Sequence, residues 1–276
     1  MKYLQKYANE QSRFLVIDNA LVHYRIEGKG FPVFLLHGAF SSLHTYDQWT
    51  EQLAKYYQVI RVDLPGFGLS GSRNDHDYSM VRYLEFLDEF LDRFGVEQCH
   101  VVGSSLGGWL AWEYALRNPK RVKNLILIGS AGFLEDKNLP LPFKMARTPI
   151  LNRVIKYAVK RNVLEQFVRQ VYADQNKVTQ SLIERYYDLF SREGNPEAFL
   201  ALANGKYKDN TKNLKKIKSP TLILWGEEDA WLPLENAYRF QSSIPKSKLI
   251  VYEHVGHIPM EEIPQITAKD ARAFLK

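Results

Sequence analysis

The sequence predicts an α/β protein with a mostly parallel central β-sheet that is flanked by helices and carries a helical cap insertion. Short continuous apolar runs, such as Pro32–Leu36 and Val122–Ile128, are typical of strands buried on both faces of a parallel sheet. Amphipathic stretches alternate with these runs, which is the pattern of βαβ units. The alternation stops over residues 133–218, where apolar residues recur at helical spacing.

The first half of the chain supplies six predicted strands. Residues 13–20 and 21–26 are rich in β-branched residues and meet near Asp18-Asn19, as in a strand pair. Over residues 79–94, apolar side chains at three-to-four spacing alternate with acidic ones, and Gly95 ends this helix. The predicted elements of this half are strands over residues 13–20, 21–26, 32–36, 59–64, 99–102 and 122–128, and helices over residues 47–56, 79–94 and 109–117.

The second half contains the insertion and the rest of the sheet. Prolines at 140, 142 and 149 mark the entry to the helical segment. The α/β pattern resumes with a strand over residues 221–225, a helix over 234–244, a strand over 248–253 and a closing helix to residue 276. We therefore assign residues 1–132 and 219–276 to a core domain and residues 133–218 to a helical cap over the end of the sheet.

A serine lies at a sharp turn between a predicted strand and a predicted helix. Residues 103–107 read Gly-Ser-Ser-Leu-Gly, the Gly-x-Ser-x-Gly pattern that in this setting predicts a nucleophile elbow. The two glycines lack a Cβ where strand and helix crowd together. Centring the pattern on Ser104 would require glycines where Val102 and Leu106 stand. Ser105 is therefore the predicted nucleophile.

Candidate partners for this serine follow later strands. In open parallel sheets, ligands bind outside the carboxyl ends of the strands, so residues placed there meet at one edge. Ser105, Asp229 and His257 each come just past a predicted strand, in the order serine, acid, histidine that accompanies the elbow motif. A serine hydroxyl needs a base such as imidazole, and a carboxylate on the far ring nitrogen orients that base. We predict this triad.

Other residues compete for two of these roles. Glu227 and Glu228 are the alternatives for the acid, although the loop after Asp229 is the one able to aim a carboxylate inward. His254 ends a strand and could point either way. His37 is predicted to brace the loop that follows it.

An oxyanion that forms on a carbonyl needs preset N–H donors. One predicted donor is the amide of Leu106, at the amino end of the elbow helix. The other comes from the loop after His37, with Ala39 as the first choice and Phe40 as the second.

Taken together, these motifs make the chain similar to a known family. The chain resembles the α/β-hydrolase-fold serine hydrolases over nearly its whole length, and specifically their capped esterase and lipase-like branch. The resemblance implies Ser105 as nucleophile, Asp229 as acid and His257 as base, with no metal and no organic cofactor. The segments that carry it are Leu35-Leu36-His37-Gly38-Ala39-Phe40, Asp63-Leu64-Pro65-Gly66-Phe67-Gly68-Leu69-Ser70, Gly103-Ser104-Ser105-Leu106-Gly107-Gly108, Trp225-Gly226-Glu227-Glu228-Asp229 and Gly256-His257.

Several reactions occur within this family. Its dehalogenases and epoxide hydrolases need an aspartate nucleophile, so Ser105 argues against both. We predict hydrolysis of carboxylic esters through an acyl-enzyme, as in carboxylesterases and lipases. The alternative is hydrolysis of a C–C bond in ring-fission diketones, although such enzymes usually have a glycine-rich loop where this chain has Ala39-Phe40-Ser41-Ser42. A third interpretation is a ligand-binding protein without catalysis.

The cap sequence predicts a substrate with a hydrophobic moiety. The predicted substrate-binding residues are Phe40, Ser104, Trp231 and Phe143. Further candidates for the lining are Met145, Phe167, Phe190 and Phe199.

Composition limits the partners. The chain has a net charge of +6, and residues 133–218 hold seventeen Lys/Arg against nine Asp/Glu, which indicates a solvated surface or one that attracts anionic substrates or lipid headgroups. No nucleic-acid motif accompanies this charge. The single cysteine, Cys99, fits a reducing compartment, and neither a secretory signal nor an apolar run of about 18 residues is visible. We predict a cytoplasmic monomer or homodimer that acts on a small-molecule ester, without nucleic acid and without stable membrane insertion.

Overall fold

The computed structural model describes residues 2–133, 139–149 and 159–276. Within them, eight strands form one sheet in the order β1-β2-β4-β3-β5-β6-β7-β8. β1 and β2 pair antiparallel, as do β2 and β4, and all other neighbours are parallel. The strands are β1 (Arg13–Ile17), β2 (Ala20–Glu27), β3 (Pro32–Leu36), β4 (Gln58–Val62), β5 (Cys99–Ser104), β6 (Val122–Ile128), β7 (Thr221–Gly226) and β8 (Ser247–Tyr252).

Helices connect these strands and cover the sheet. α4 lies against β3, β5 and β6 and contacts α3, whereas α2 packs against the last helix, α11. The described helices are α1 (Lys2–Tyr7), α2 (Asp47–Leu53), α3 (Met80–Arg93), α4 (Leu106–Arg117), α5 (Leu141–Arg147), α6 (Arg161–Gln170), α7 (Gln180–Phe190), α8 (Asn195–Asn204), α9 (Glu235–Ser243), α10 (Pro259–Glu262) and α11 (Pro264–Leu275). The predicted fold class is confirmed.

The central strands are buried along their length. Every residue of β5 and β7 is buried, as is all of β3 after Pro32. This is why these strands appear in the sequence as continuous apolar runs rather than as alternating ones. The large side chains of Trp49 in α2, Trp112 in α4 and Trp225 in β7 are fully buried. Their removal from water stabilises the stack by roughly 1.5–3 kcal/mol each.

The predicted element bounds differ from the structure mainly at their ends. The helix predicted over residues 47–56 ends at Leu53, and the strand predicted over 59–64 runs from Gln58 to Val62. The N-terminal helix α1 was not predicted, because six residues without a capping signal leave little pattern. Its position depends on tertiary contacts, since Lys6 pairs with Glu184 and Asp188 of α7.

The segment between β6 and β7 is helical where the structure describes it. It contributes α5 to α8, and α6 packs against α7 and α5 against α8. Residues 134–138 and 150–158 of the predicted cap lie outside the described residues. The division into core and cap therefore stays a prediction, and "the insertion" below means α5 to α8 with their described connections. None of the described helices has the length and apolar character that a bilayer crossing requires.

Candidate active site

Ser105 occupies a strained turn between β5 and α4. Its backbone has φ 53° and ψ −114°, a conformation that a residue with a Cβ rarely adopts. Hydrogen bonds hold it there: its N–H donates to the carbonyl of Ile128 over 3.0 Å, and its own carbonyl accepts from Trp109 over 3.0 Å and from Ala131 over 3.1 Å. Strain retained in this way is typical of functional positions.

The glycines on either side of this serine are required by contact with other backbone. A Cβ on Gly103 would overlap the carbonyl group of Gly107. A Cβ on Gly107 would overlap the carbonyl oxygens of Leu36 and His37 at the end of β3. The elbow therefore closes only because both positions lack a side chain, as the Gly-x-Ser-x-Gly pattern predicts.

Asp229 and His257 form a buried hydrogen-bonded pair. Nδ1 of His257 lies 2.7 Å from Oδ2 of Asp229, and the two side chains are 2% and 0% exposed. The other carboxylate oxygen, Oδ1, accepts the backbone N–H groups of Trp231 and Leu232, each over 2.9 Å. One carboxylate oxygen therefore serves the imidazole, and the other serves the loop that positions the carboxylate.

The remaining ring nitrogen of His257 faces the serine cavity. Nε2 is buried and has no hydrogen-bond partner among the described residues, Ser105 included. Ser105 and His257 nevertheless line the same cavity. A buried nitrogen without a partner is costly unless a ligand or a reacting hydroxyl uses it.

Two amides beside Ser105 are available as donors. Neither the N–H of Ala39 nor that of Leu106 donates a hydrogen bond within the described part of the chain. Leu106 begins α4, so its N–H belongs to the unsatisfied first turn and lies at the positive end of the helix dipole. Ala39 follows β3 and lines the cavity that contains Ser105. These are the two amides that the sequence analysis predicts as oxyanion donors, and that role stays a prediction.

His37 braces the loop that carries Ala39. Its Nδ1 lies 2.7 Å from the carbonyl oxygen of Gly38, and its Nε2 accepts the N–H of Leu64 over 3.0 Å. The ring is completely inaccessible, and burial lowers the pKa of His37. A neutral imidazole with one donor and one acceptor therefore ties the loop after β3 to the loop after β4.

Phe40 lines the cavity of Ser105 and also contacts several other aromatic rings. Its backbone φ is 62°, and its ring stands at the centre of an aromatic cluster. Phe199 and Phe190 of the insertion lie 4.1 and 4.9 Å from it, measured between ring centroids. Phe143, Phe167 and Trp231 lie 6.1 to 6.4 Å away. The loop that carries Ala39, a predicted oxyanion donor, is thus packed against the insertion.

Two cavities meet at Ser105 and Trp231. The first lies under α6 and is lined by Ser104, Phe40 and the α6 residues Leu164, Phe167 and Val168, among others. The second lies between α5 and α8 and is lined by Phe143, Trp109, Leu202 and Tyr207, among others. Of the predicted lining residues, Phe167 lines the first cavity and Phe143 the second. Phe190 and Phe199 contact Phe40 instead, and Met145 packs against the core without lining either cavity.

The structure separates the competing candidates. His254 is 86% exposed and pairs with Glu228 over 3.1 Å, which raises the pKa of His254. This pair lies on the surface, so neither residue reaches Ser105. Glu227 is also exposed. Of the candidate acids, Asp229 contacts the buried imidazole.

The sequence analysis missed a second series of hydrogen-bonded serine, histidine and aspartate side chains. Nε2 of His23 lies 2.8 Å from Oγ of Ser12, and its Nδ1 lies 2.8 Å from Oδ2 of Asp63. His23 and Asp63 are completely inaccessible, so no substrate carbonyl can reach the base. Asp63 also accepts the N–H of Leu43 over 2.6 Å and of Leu69 over 2.7 Å, which makes it the anchor of two loops. This connectivity is structural.

Some residues around the site gave no sequence signal. Val171 lines the first cavity and accepts the N–H of His257 over 2.9 Å, although it belongs to the connection after α6. Trp109 lines the second cavity from α4. Both appear in the sequence as ordinary apolar residues of a helical stretch, so only the packing reveals them.

Comparison with known proteins agrees with this geometry. The family model for the alpha/beta hydrolase fold matches residues 32–264. The 2-hydroxymuconate semialdehyde hydrolase of Pseudomonas putida is 31% identical over 90% of this chain and 88% of its own length. The 2-hydroxy-6-oxo-6-(2'-aminophenyl)hexa-2,4-dienoic acid hydrolase of Metapseudomonas resinovorans is 28% identical over 95% of this chain and 90% of its own length.

A solved structure of a membrane phospholipase A, described as a bacterial virulence factor, is also similar. It superimposes with a TM-score of 0.81 at 26% identity and covers 96% of this chain and 85% of its own. The match of the family model over most of the sequence, together with the sheet order and the elbow, establishes the relationship. The chain belongs to the α/β-hydrolase fold family of hydrolases.

Proposed function

We propose that this hydrolase uses Ser105 as its nucleophile and cleaves a C–C bond next to a carbonyl group in a ring-fission product of the 2-hydroxy-6-oxo-dienoate class. The observation that carries the serine chemistry is the buried Asp229–His257 pair, whose free Nε2 faces the cavity of Ser105. The choice of a C–C bond as the bond that is cleaved rests on the names of the relatives. They support this reaction better than the ester hydrolysis that the sequence analysis favours.

The first steps are common to both reactions. The proton of the Ser105 hydroxyl passes to Nε2 of His257 while Oγ forms a bond to the carbonyl carbon. Asp229 stabilises the imidazolium through the hydrogen bond at Nδ1. The carbonyl oxygen becomes an oxyanion, and the free amides of Ala39 and Leu106 are the donors that can stabilise its charge. The loss of one such donor typically lowers kcat by about 100-fold or more.

A carbon leaving group needs additional stabilisation. In a 2-hydroxy-6-oxo-dienoate, a proton moves from the 2-hydroxyl group to C5, which gives a 2-oxo compound with an isolated 6-carbonyl group. After attack at C6, the C5–C6 bond breaks and its electron pair is delocalised to the 2-oxo oxygen. His257 returns its proton to this dienolate, and water then releases the acyl group as a carboxylic acid. The conjugated system therefore replaces the good leaving group of an ester.

Ester hydrolysis is the second candidate, and three observations favour it. The described residues that line the first cavity include no charged side chain, and most of them are apolar. An alkyl chain fits such a lining better than a carboxylate does. The similarity to a phospholipase A structure and the Ala39-Phe40 loop point in the same direction. In this case an alkoxide leaves and takes its proton from His257.

A direct comparison of substrates tests the proposal. Purified protein is given 2-hydroxymuconate semialdehyde, whose cleavage releases formate, and in parallel p-nitrophenyl esters with acyl chains of increasing length. A kcat/KM at least tenfold higher for the dienoate supports C–C hydrolysis, and the reverse ratio selects the esterase. Ser105→Ala is the control and must abolish the faster reaction.

Labelling by a fluorophosphonate tests the nucleophile independently of the substrate. Oγ of Ser105 would form a bond to phosphorus, fluoride would leave, and His257 would accept the hydroxyl proton. A wild-type protein that stays unlabelled, and hydrolyses neither class of substrate, would instead be a ligand-binding member of the family.

A further inference from the structure

The loop that carries His257 is fastened to the insertion by backbone and side-chain hydrogen bonds. The N–H of His257 donates to the carbonyl of Val171 over 2.9 Å. Glu262 connects the same two segments: its Oε2 accepts the N–H of Gly256, and its Oε1 accepts the N–H of Asp174, both over 2.7 Å. Glu262 is only 3% exposed. Hydrogen bonds from N–H groups to a buried carboxylate are among the stronger ones in proteins.

The contact between the two segments is too close for a side chain. A Cβ on Gly256 would lie 2.5 Å from the carbonyl oxygen of Val171 and 2.9 Å from the nitrogen of Ala173. Both neighbours are backbone atoms, which cannot move aside without shifting the connection after α6. The absence of a side chain at Gly256 therefore allows the loop of the base and the connection after α6 to touch.

A second carboxylate reinforces this contact. Glu261 accepts the hydroxyl groups of Tyr172 over 2.9 Å and of Tyr186 over 2.8 Å, and it pairs with Arg185 over 2.7 Å. Burial alone would raise the pKa of Glu261, but the charge of Arg185 and these hydrogen bonds hold it below its usual value. The carboxylate thus stays ionised although its side chain is 8% exposed. Glu261 lies four positions after His257, so it ties α7 and the connection after α6 to the segment that carries the base.

The same connection forms a wall of the substrate cavity. Val171, which accepts the His257 N–H, lines the first cavity together with Leu164 and Val168. A displacement of this wall would therefore move the imidazole as well. Misplacement of a reacting group by about 1 Å can lower a rate about 100-fold.

We propose that Glu262 is a positioning residue for His257, which fixes the imidazole against Ser105 by joining the loop of residues 255–257 to residues 171–174 of the insertion. The inference rests on the proposed role of His257 as the base. It assigns the insertion a part in orienting the base in addition to covering the substrate. We call the contacts of Glu262, Gly256 and His257 with residues 171–174 the base joint.

Two unlike substitutions test the base joint. Glu262→Gln removes the charge and leaves an amide that can accept only one of the two N–H groups. Gly256→Ala changes no charge, but its new methyl group would overlap the backbone of Val171 and Ala173 and push the two segments apart. Each should lower the rate of fluorophosphonate labelling at Ser105 at least tenfold. Because both disturb one contact, the double variant should lose much less than the product of the two single effects.

A matched control separates positioning from general loosening of the insertion. Asp188 is another buried carboxylate of the insertion, and it binds Lys6 and Tyr7 of α1, away from His257. Asp188→Asn should lower the melting temperature of the protein, but the fluorophosphonate should label Ser105 of this variant at the wild-type rate. Glu262→Asp keeps the charge but withdraws the carboxylate by one methylene group from the N–H groups of Gly256 and Asp174. It provides a mild variant, with an expected loss of about threefold, should either stronger variant fail to fold.

The outcomes are distinguishable. The inference is overturned if folded Glu262→Gln and Gly256→Ala proteins label at the wild-type rate, or if Asp188→Asn loses as much as they do. It is equally overturned if only the mild variant folds and Glu262→Asp labels at the wild-type rate. Failure of the wild-type protein to label, in contrast, contradicts the proposed function itself.

Discussion

The imidazole Nδ1 of His257 lies 2.7 Å from Oδ2 of Asp229, although the two residues are 28 positions apart in the chain. The carboxylate divides its two oxygens between separate tasks, because Oδ1 accepts the amides of Trp231 and Leu232. One side chain therefore shapes its own loop and orients the ring of the proposed base.

Asp229→Asn should separate these two tasks. The amide oxygen of asparagine can keep both loop hydrogen bonds, while its NH2 group meets Nδ1 and favours the wrong tautomer of His257. We expect kcat to fall by about 10³- to 10⁴-fold with a melting temperature close to that of the wild type. Steady-state kinetics and thermal unfolding on the same preparation measure both quantities. A loss of less than tenfold would remove Asp229 from the proposed triad.

Trp231 should donate a hydrogen bond to the substrate. Its indole Nε1 is buried without a partner among the described residues, and the ring lines both cavities and lies 5.5 Å from the His257 ring. Trp231→Phe keeps most of the apolar surface and deletes the N–H. We expect KM to rise about tenfold, which corresponds to about 1.4 kcal/mol, with a smaller change in kcat. An unchanged KM for all substrates would show that the indole N–H does not contact them.

The two cavities should select opposite sides of the scissile bond. Leu164 of α6 lines the first cavity and Leu202 of α8 the second. Leu164→Ala and Leu202→Ala each enlarge one cavity, at a stability cost of about 2–5 kcal/mol. The measurement is kcat/KM for two series of esters, one varied in the acyl chain and one in the alcohol. One variant should change the values in the first series, and the other variant should change those in the second. The same shift in both would mean that the cavities act as one.

Gly103→Ala should prevent the elbow from closing. The new Cβ would overlap the Gly107 carbonyl, so we expect destabilisation above about 3 kcal/mol or loss of folding. Gly95→Ala is the matched control, because Gly95 has φ +62° but no heavy atom within 4 Å of an added Cβ. Only the backbone conformation then costs free energy, about 1–2 kcal/mol. Denaturant unfolding of the two variants compares them, and similar losses would contradict the crowding argument.

The buried histidine His44 should make the fold sensitive to acid. It contacts the hydroxyl of Ser42 and the carbonyl of Tyr7, and burial lowers its pKa from 6.5 to about 4. Between these values the unfolded chain binds a proton that the folded chain does not. Stability is therefore complete above about pH 6.5 and falls as the pH drops toward 4, by about 2 kcal/mol between pH 7 and 5. In His44→Gln this part of the pH dependence should disappear; an unchanged slope would assign it to other groups.

The elbow and the sheet could be predicted because their signals are local. The pattern around Ser105 is fixed by backbone crowding between adjacent elements, so it is visible in five consecutive residues. Buried parallel strands such as β6 read as continuous apolar runs for a similar reason. The positions of Asp229 and His257 follow from the rule that parallel strands end at one edge.

The contacts of the insertion could not be predicted in this way. Phe190 and Phe199 occupy helical stripes that read the same whether they line a cavity or pack on Phe40. Likewise, nothing in the sequence around Glu262 indicates that its carboxylate joins Gly256 to Asp174.

The sequence by itself determined the elbow, the mostly parallel sheet and the chain order of the serine, acid and histidine, because each depends on backbone sterics and hydrophobic periodicity over a few residues. The tertiary structure alone decided that Glu228 turns to His254 at the surface. It also decided that Val171 and Glu262 hold the loop of the base. These choices depend on which segments meet in space, and the meeting residues lie up to 88 positions apart, beyond the reach of any local pattern.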